Sequence, residues 1–208
     1  MSLINLMLGD CLEKLKEIED NSVDAVVTDP PYGLKFMNKH WDYEVPSVEI
    51  WKEVLRVLKP GGHLLSFGGT RTYHRMAVNI EDAGFEIRDQ IQWLYGSGFP
   101  KSHNLKDQWQ GWGTALKPAN EPICMARKPL EKGLTIAENV VKWGTGAFNI
   151  DECRIEGEPW KPHSATGLAK NKFFTDGEAQ EIEKNPHISG RWPANLILDE
   201  QAAEMLDE

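Results

Sequence analysis

Along the first half of the chain, short apolar runs alternate with amphipathic stretches. Leu3 to Leu8 is apolar enough for a strand, and Asp10 then stands where a helix N-cap would, with Glu13 three residues on as a capping-box partner. Leu12, Leu15 and Ile18 form one apolar stripe on that helix, and the Glu19-Asp20-Asn21-Ser22 cluster ends it. Val23 to Thr28 is a β-branched run stopped by Pro30 and Pro31, the pattern of a buried strand opening into a loop. Pro46 to Leu58 has helical spacing in Ile50, Trp51, Val54, Leu55 and Leu58, and Lys59-Pro60-Gly61-Gly62 stops it. The alternation then repeats, with a strand at His63 to Phe67, a turn at Gly68-Gly69 and a helix from Arg71 to Ala83 capped by Gly84.

Phe85 to Tyr95 predicts one long strand or a hairpin, Glu121 to Arg127 a further strand, and Ala194 to Leu198 another. Between Gly133 and Pro193 the chain is rich in Gly, Pro, Trp and charge without steady periodicity, as in an elaborated insert, and Phe173 to Asn185 is acidic in the manner of a mobile loop. Strands alternating with helices predict an α/β fold, a mostly parallel sheet covered by helices on both faces. The expected division is a core over 1–128, an insert over 129–193 and a partial return to the core over 194–208.

Composition narrows the function classes. The 208 residues are 40% hydrophobic and 26% charged, a globular mixture for one domain with an insertion. No apolar run approaches the roughly 20 residues that cross a bilayer, and MSLINLMLGD has neither a basic start nor a small-residue cleavage site, so a cytoplasmic protein without membrane partners is expected. Cys11, Cys124 and Cys153 suit neither a disulfide framework nor a zinc site, and the histidines show no metal-ligand spacing, so no metal is expected. The net charge of −9 excludes coating of nucleic acid by bulk attraction, yet residues 61–128 carry 8 basic and 6 acidic groups and are the only positive third.

The sharpest chemistry is Asp29-Pro30-Pro31-Tyr32 at the C-terminal end of a predicted strand, the edge at which open α/β sheets bind ligands. Two prolines hold the backbone extended and remove two N–H donors, so the Asp29 carboxylate and the Pro30 carbonyl both act as outward acceptors. Such a cradle suits an –NH₂ group. An exocyclic amine on adenine or cytosine is a poor nucleophile because its lone pair is delocalised into the ring, and two acceptors localise it. Tyr32 supplies a ring for stacking a base, worth about 1–3 kcal/mol.

On these residues the sequence resembles the DNA amino-methyltransferases, which move a methyl group from S-adenosylmethionine to adenine N6 or cytosine N4. The likeness extends through Gly9-Asp10-Cys11-Leu12, Ser22-Val23-Asp24, Leu58-Lys59-Pro60-Gly61-Gly62, Ser66-Phe67-Gly68-Gly69, Lys117-Pro118-Ala119-Asn120-Glu121-Pro122 and, among phage and prophage members, Gly190-Arg191-Trp192-Pro193-Ala194-Asn195. It implies a Rossmann-like methyltransferase sheet in a bacterial or phage-infected cell. It also implies that Asp29, Pro30, Pro31 and Tyr32 are catalytic and that Asp10, Cys11, Asp29 and Pro30 bind S-adenosylmethionine. Asp10 has a second reading as a plain helix cap, and one carboxylate serves both.

Members with this order of motifs carry a glycine-rich cofactor loop toward the C-terminus; none follows Leu198, so the resemblance implies a truncated chain. The expected partner is double-stranded DNA whose target base is flipped out, with a second copy or a complementing chain left open. Ser97, Phe99, Lys101, Ser102 and His103, in a loop of glycines, one aromatic and basic or polar tips, are the candidate DNA contacts, against a plain surface turn. Asp rather than Ser before Pro-Pro-Tyr favours adenine over cytosine within the resemblance. An inactive DNA- or partner-binding fragment and methylation of a protein glutamine amide are the rival functions. Trp51 is expected in the core, and packing is favoured for Trp109 and Trp112.

Overall fold

The computed structural model of the chain describes residues 4–35, 38–98, 102–155 and 190–207. Phe99, Lys101, the acidic stretch 173–185 and most of the expected insert lie outside the described residues. The chain divides into two compact units, residues 1–147 with 195–208, and residues 148–194.

In the first unit Asp10 caps α1 (Cys11–Leu15), its Oδ1 accepting from Leu12 N at 3.0 Å and Glu13 N at 3.4 Å. The reciprocal half of the expected capping box does not form, because Glu13 pairs with Lys16 at 2.8 Å. Residues 4–8 form no strand, contrary to the apolar pattern, and Ile4, Leu6 and Leu8 are 81%, 90% and 97% exposed. Apolar composition alone does not make a strand, and residues 4–8 pair with none of the five strands of the described sheet. β1 (Val23–Thr28) follows, ends as expected at Asp29-Pro30, and lies at one edge of the described sheet. Expectation had β1 buried. Instead Val27 is 67% exposed.

The helix α2 (Val48–Val57) buries Trp51, Val54 and Val57 on one face. Its Arg56 reaches back to the carbonyls of Ile18 and Leu15 at 2.9 and 2.8 Å and pairs with Asp20 and Glu53, fixing the end of the α1 segment. β2 (Leu58–Phe67) then runs parallel to β1, but Val23 faces Leu58 while Ala25 already faces His63. Lys59-Pro60-Gly61-Gly62, expected as a helix stop outside any strand, is therefore a bulge within β2. Gly61 is required there: its φ is +81°, and an added Cβ would come within 2.7 Å of Asn139 Nδ2.

Next, α3 (Tyr73–Asp82) buries Met76 and Ile80, and β3 (Glu86–Leu94) is one continuous strand with an irregularity between Ile87 and Asp89. β4 (Asn120–Arg127) enters the sheet between β2 and β3, antiparallel to both. A strand that returns beside its predecessor without a crossover helix must run antiparallel, which is why one central strand is reversed. The five-stranded order is β1-β2-β4-β3-β5, with β5 (Leu196–Leu198) parallel to β3 and followed by α5 (Glu200–Asp207). The architecture is a Rossmann-like α/β fold whose core sits around Trp51, Leu58, Leu64, Met76, Ile80 and Phe85.

The helix α4 (Ile136–Trp143) has no counterpart in the expectations, although Thr135 and Glu138 complete a capping box and Gly144 ends it with φ +75°. Asn139, fully buried, donates from Nδ2 to the carbonyls of Pro60 and Thr145 at 2.9 and 2.8 Å and accepts from Glu131 N at 3.0 Å, tying α4 to the β2 bulge.

In the second unit, residues 148–155 and 190–194 are described. Ile155 bridges Arg191, and the Arg154 guanidinium pairs with Asp151 at 2.8 Å and lies over the Trp192 ring at 5.7 Å.

Candidate active site

The parallel strands β1, β2 and β3 end at one edge, and β4, being reversed, begins there. That edge gathers Asp29 to Tyr32 after β1, Phe67 to Gly69 at the end of β2, Trp93 and Tyr95 around the end of β3, and Glu121 at the start of β4. Asp29 is exposed, whereas Pro30, Pro31 and Tyr32 are half-buried, so the diproline corner is open to solvent.

Three side chains from three different segments hold that corner. Thr72 Oγ1 donates to the Tyr32 carbonyl at 2.6 Å, the Tyr32 phenol donates to Glu121 Oε2 at 3.1 Å, and Gly33 N donates to Asp42 Oδ1 at 2.9 Å. Asp42 is buried and also fixes the loop through its own carbonyl, which accepts from Lys35 N at 2.8 Å. Gly33 turns the chain with φ +67°, where a Cβ would sit 3.0 Å from Val45 N. Gly69 packs directly on Tyr32, and a Cβ there would come within 3.2 Å of the ring. The tyrosine ring is thus braced by backbone on one side, which suits a stacking platform.

Burial, hydrogen bonding with Asp29 and the negative charge of Glu121 together push the Tyr32 phenol well above its ordinary range, so the hydroxyl stays a neutral donor. Burial first and Glu121 second raise Tyr95 as well. Phe67, Trp93 and Tyr95 form an edge-to-face series with centroids 6.0 and 6.4 Å apart along the same edge.

Asp10 and Cys11 sit at the start of α1, both exposed. Asp10 uses Oδ1 for the cap, and among the described residues no hydrogen bond joins either residue to Asp29–Tyr32. Of the loop candidates, Ser97 is exposed; Ser102 Oγ accepts from Thr114 N at 3.2 Å and His103 N donates to Thr114 Oγ1 at 2.9 Å, closing the segment 102–114 on itself. Trp109 and Trp112 cap that segment, 48% and 61% exposed and edge-to-face at 5.2 Å. Packing on each other, not on the core, is the environment they find, and the packing expectation is corrected to that extent.

A cavity of about 840 Å³ lined by Gly33, Tyr43, Val45, Thr72, Arg75 and Asn79 lies beyond the corner, but neither Asp29 nor Tyr32 lines it, so the Asp29–Tyr32 corner is a separate surface. Among the described residues, no group of three or more His, Cys, Asp and Glu side chains could hold a metal ion, and no helix is long and apolar enough to cross a membrane.

Asp42, Thr72 and Glu121 were not legible as site residues. Glu121 stands in the quoted Lys117 to Pro122 segment and Thr72 just before a predicted helix, but nothing in the sequence ties either to Tyr32, 89 and 40 positions away.

Residues 23–202 match a family model described as DNA methylase. The type II methyltransferase M.HindIII of Haemophilus influenzae is 26% identical over 195 residues, 68% of this chain and 63% of that protein. M.HinfI, also of Haemophilus influenzae, is 30% identical over 224 residues, 95% of this chain and 58% of that protein. The solved structure of PvuII DNA methyltransferase, described as cytosine-N4-specific, is 18% identical with a TM-score of 0.45 over 76% of this chain and 59% of that one. The chain thus spans about three-fifths of the length of these relatives.

Proposed function

The chain belongs to the N6/N4 family of DNA methylases, and on that premise we propose that it methylates adenine N6 in double-stranded DNA, with Asp29-Pro30-Pro31-Tyr32 receiving the flipped base. One observation supports this most: an exposed carboxylate at the end of β1 is followed by a tyrosine whose phenol donates to Glu121 and whose loop backbone is held by Thr72 and Asp42. Asp29 and the Pro30 carbonyl accept the two N–H bonds of the amine, drawing its lone pair out of conjugation, while the Tyr32 ring covers the base plane. Alignment is the largest available contribution, since effective molarities of well-oriented groups offset about 7–11 kcal/mol of a barrier. Unstacking the base costs a few kcal/mol and is offset partly by stacking on Tyr32.

When bound, S-adenosylmethionine supplies an electrophilic methyl group on a sulfonium. Asp10, Cys11, Asp29 and Pro30 are the residues of this chain that would hold it, and the fit is one-sided: the second Asp10 oxygen is outside its capping bonds, but Ile4, Leu6 and Leu8, just before it in the chain, and Val27 on β1 are exposed. That exposure favours a second reading, in which another polypeptide or a second copy completes the cofactor side and this chain alone binds DNA without turnover. Within the proposal, residues 1–128 are the catalytic core, 129–193 a target-recognition region and 194–208 the return to the sheet. The loop with Ser97, Phe99, Lys101, Ser102 and His103 meets the DNA backbone in the cytoplasm of a bacterial or infected cell.

The test is incubation of unmethylated bacterial genomic DNA with the protein and isotope-labelled S-adenosylmethionine, then digestion to nucleosides. N6-methyladenine is expected. N4-methylcytosine alone would replace adenine by cytosine as the substrate, and no methylated nucleoside, with no heat of S-adenosylmethionine binding in calorimetry but retained DNA binding, would establish the second reading.

A further inference from the structure

The Tyr32 hydroxyl has one proton and two carboxylates beside it. It donates to Glu121 Oε2 at 3.1 Å, and Asp29, on the same loop, also acts on the phenol through its charge and hydrogen bonding. A phenol makes only one such donation at a time. If the proton went to Asp29, it would occupy a lone pair and damp the negative charge that the nucleobase amine needs. We propose that Glu121 is a positioning residue that accepts the Tyr32 O–H hydrogen bond and so leaves Asp29 free to accept from the amine.

The placement of Glu121 is suited to this. It comes from β4, held in the middle of the sheet, where it faces Trp93 on β3 while Pro122 O accepts from Gly68 N at 3.0 Å. Its backbone is therefore fixed by two strands, whereas Tyr32 and Asp29 sit on a loop. An acceptor on a fixed backbone loses less freedom when the bond forms, which favours Glu121 over the loop carboxylate as the partner of the phenol. The role rests on the proposal that Asp29 receives the amine.

The experiment compares the wild-type chain with Glu121→Gln, Glu121→Ala and the double variant Glu121→Ala/Tyr32→Phe. Two quantities are read: single-turnover methyl transfer to unmethylated genomic DNA, and affinity for a short single-stranded oligonucleotide relative to one in which purine, lacking the amine, replaces every adenine. Glu121→Ala is expected to slow transfer at least about tenfold and to erase most of the preference for adenine over purine. Glu121→Gln, which keeps an acceptor oxygen, should stay within about threefold of wild type. The double variant should recover most of the loss, because removing the phenol removes the donor that captures Asp29. A double variant as slow as Glu121→Ala or slower, or a Glu121→Ala chain that behaves as wild type, overturns the role, since a merely structural glutamate predicts added damage rather than rescue. Should the wild-type chain not turn over, the adenine-over-purine ratio alone decides by the same criteria. A wild-type chain with neither transfer nor adenine preference overturns the amine-acceptor assignment of Asp29 itself.

Discussion

Thr72 Oγ1 donates to the carbonyl oxygen of Tyr32 at 2.6 Å, so the residue before α3 secures the diproline corner. Thr72 occupies the N-cap position of α3 yet makes no side-chain cap, its hydroxyl being committed to the loop. Thr72→Val keeps the shape and deletes the bond. The expected result is a loss of about 1 kcal/mol in thermal stability, the usual net worth of one hydrogen bond, with transfer slowed several-fold and DNA affinity unchanged. Parallel melting and single-turnover measurements check it, and DNA affinity falling in step with rate would speak against loop anchoring.

Tyr32 contributes a ring and a hydroxyl, and the two are separable. With the ring resting on Gly69, Tyr32→Phe retains the stacking face and should leave transfer within a few-fold of wild type. Tyr32→Ala removes the platform and should weaken capture of an extrahelical base by about 1–3 kcal/mol. The measurement is 2-aminopurine fluorescence in duplex DNA, where Ala, but not Phe, should abolish the increase that reports flipping.

Stability depends on Asn139 more than its place in an irregular segment suggests. Its three hydrogen bonds join the Pro60 carbonyl, the Thr145 carbonyl and Glu131 N. Asn139→Ala strips the Thr145 carbonyl and Glu131 N of these bonds, each costing about 1–3 kcal/mol, while Pro60 O keeps the Thr145 hydroxyl, and should lower Tm by roughly 5–10 °C at about 2–4 °C per kcal/mol. A calorimetric scan gives the value directly.

His63 on β2 provides a pH dependence. Burial, with help from the charges of Arg127 and Arg88, pushes its pKa down to about 4, so the folded chain keeps it neutral while the unfolded chain protonates it near 6.5. The unfolded state binds more protons between those values, and stability is full above pH 6.5 and falls as pH drops toward 4. Partial exposure reduces the effect by solvent screening to about 1 kcal/mol at pH 5. Wild-type Tm should therefore fall between pH 7.5 and pH 5 by about 2–4 °C more than that of His63→Gln.

Much of the sheet was written in local pattern. The β-branched run ending at Pro30 gives β1 to the residue, and Trp51, Val54 and Met76 lie in the core as helical spacing demands. Leu3 to Leu8 misled because strand formation needs a partner, and Ile4, Leu6 and Leu8 are exposed. The bulge at Lys59–Gly62 reads as a helix stop because Pro and Gly punctuate both, and only the register against β1 separates the two. Thr135 and Glu138 did announce α4, at a spacing that the surrounding glycines, tryptophans and charges obscured. For the proposed site, Asp29, Pro30 and Tyr32 are contiguous and hence visible as a motif. The groups that hold them, Asp42, Thr72 and Glu121, arrive from distant segments through tertiary folding and leave no sequence-local mark.

The central claim is that Asp29 acts on the amine rather than on the DNA as a whole. Single-turnover methyl transfer and DNA affinity, measured together for wild type and Asp29→Ala, test it most directly. Loss of one acceptor on the reacting nitrogen predicts transfer reduced at least about 100-fold, near 3 kcal/mol, with DNA affinity within about threefold. Equal losses in rate and affinity, or a rate that survives the substitution, would contradict it.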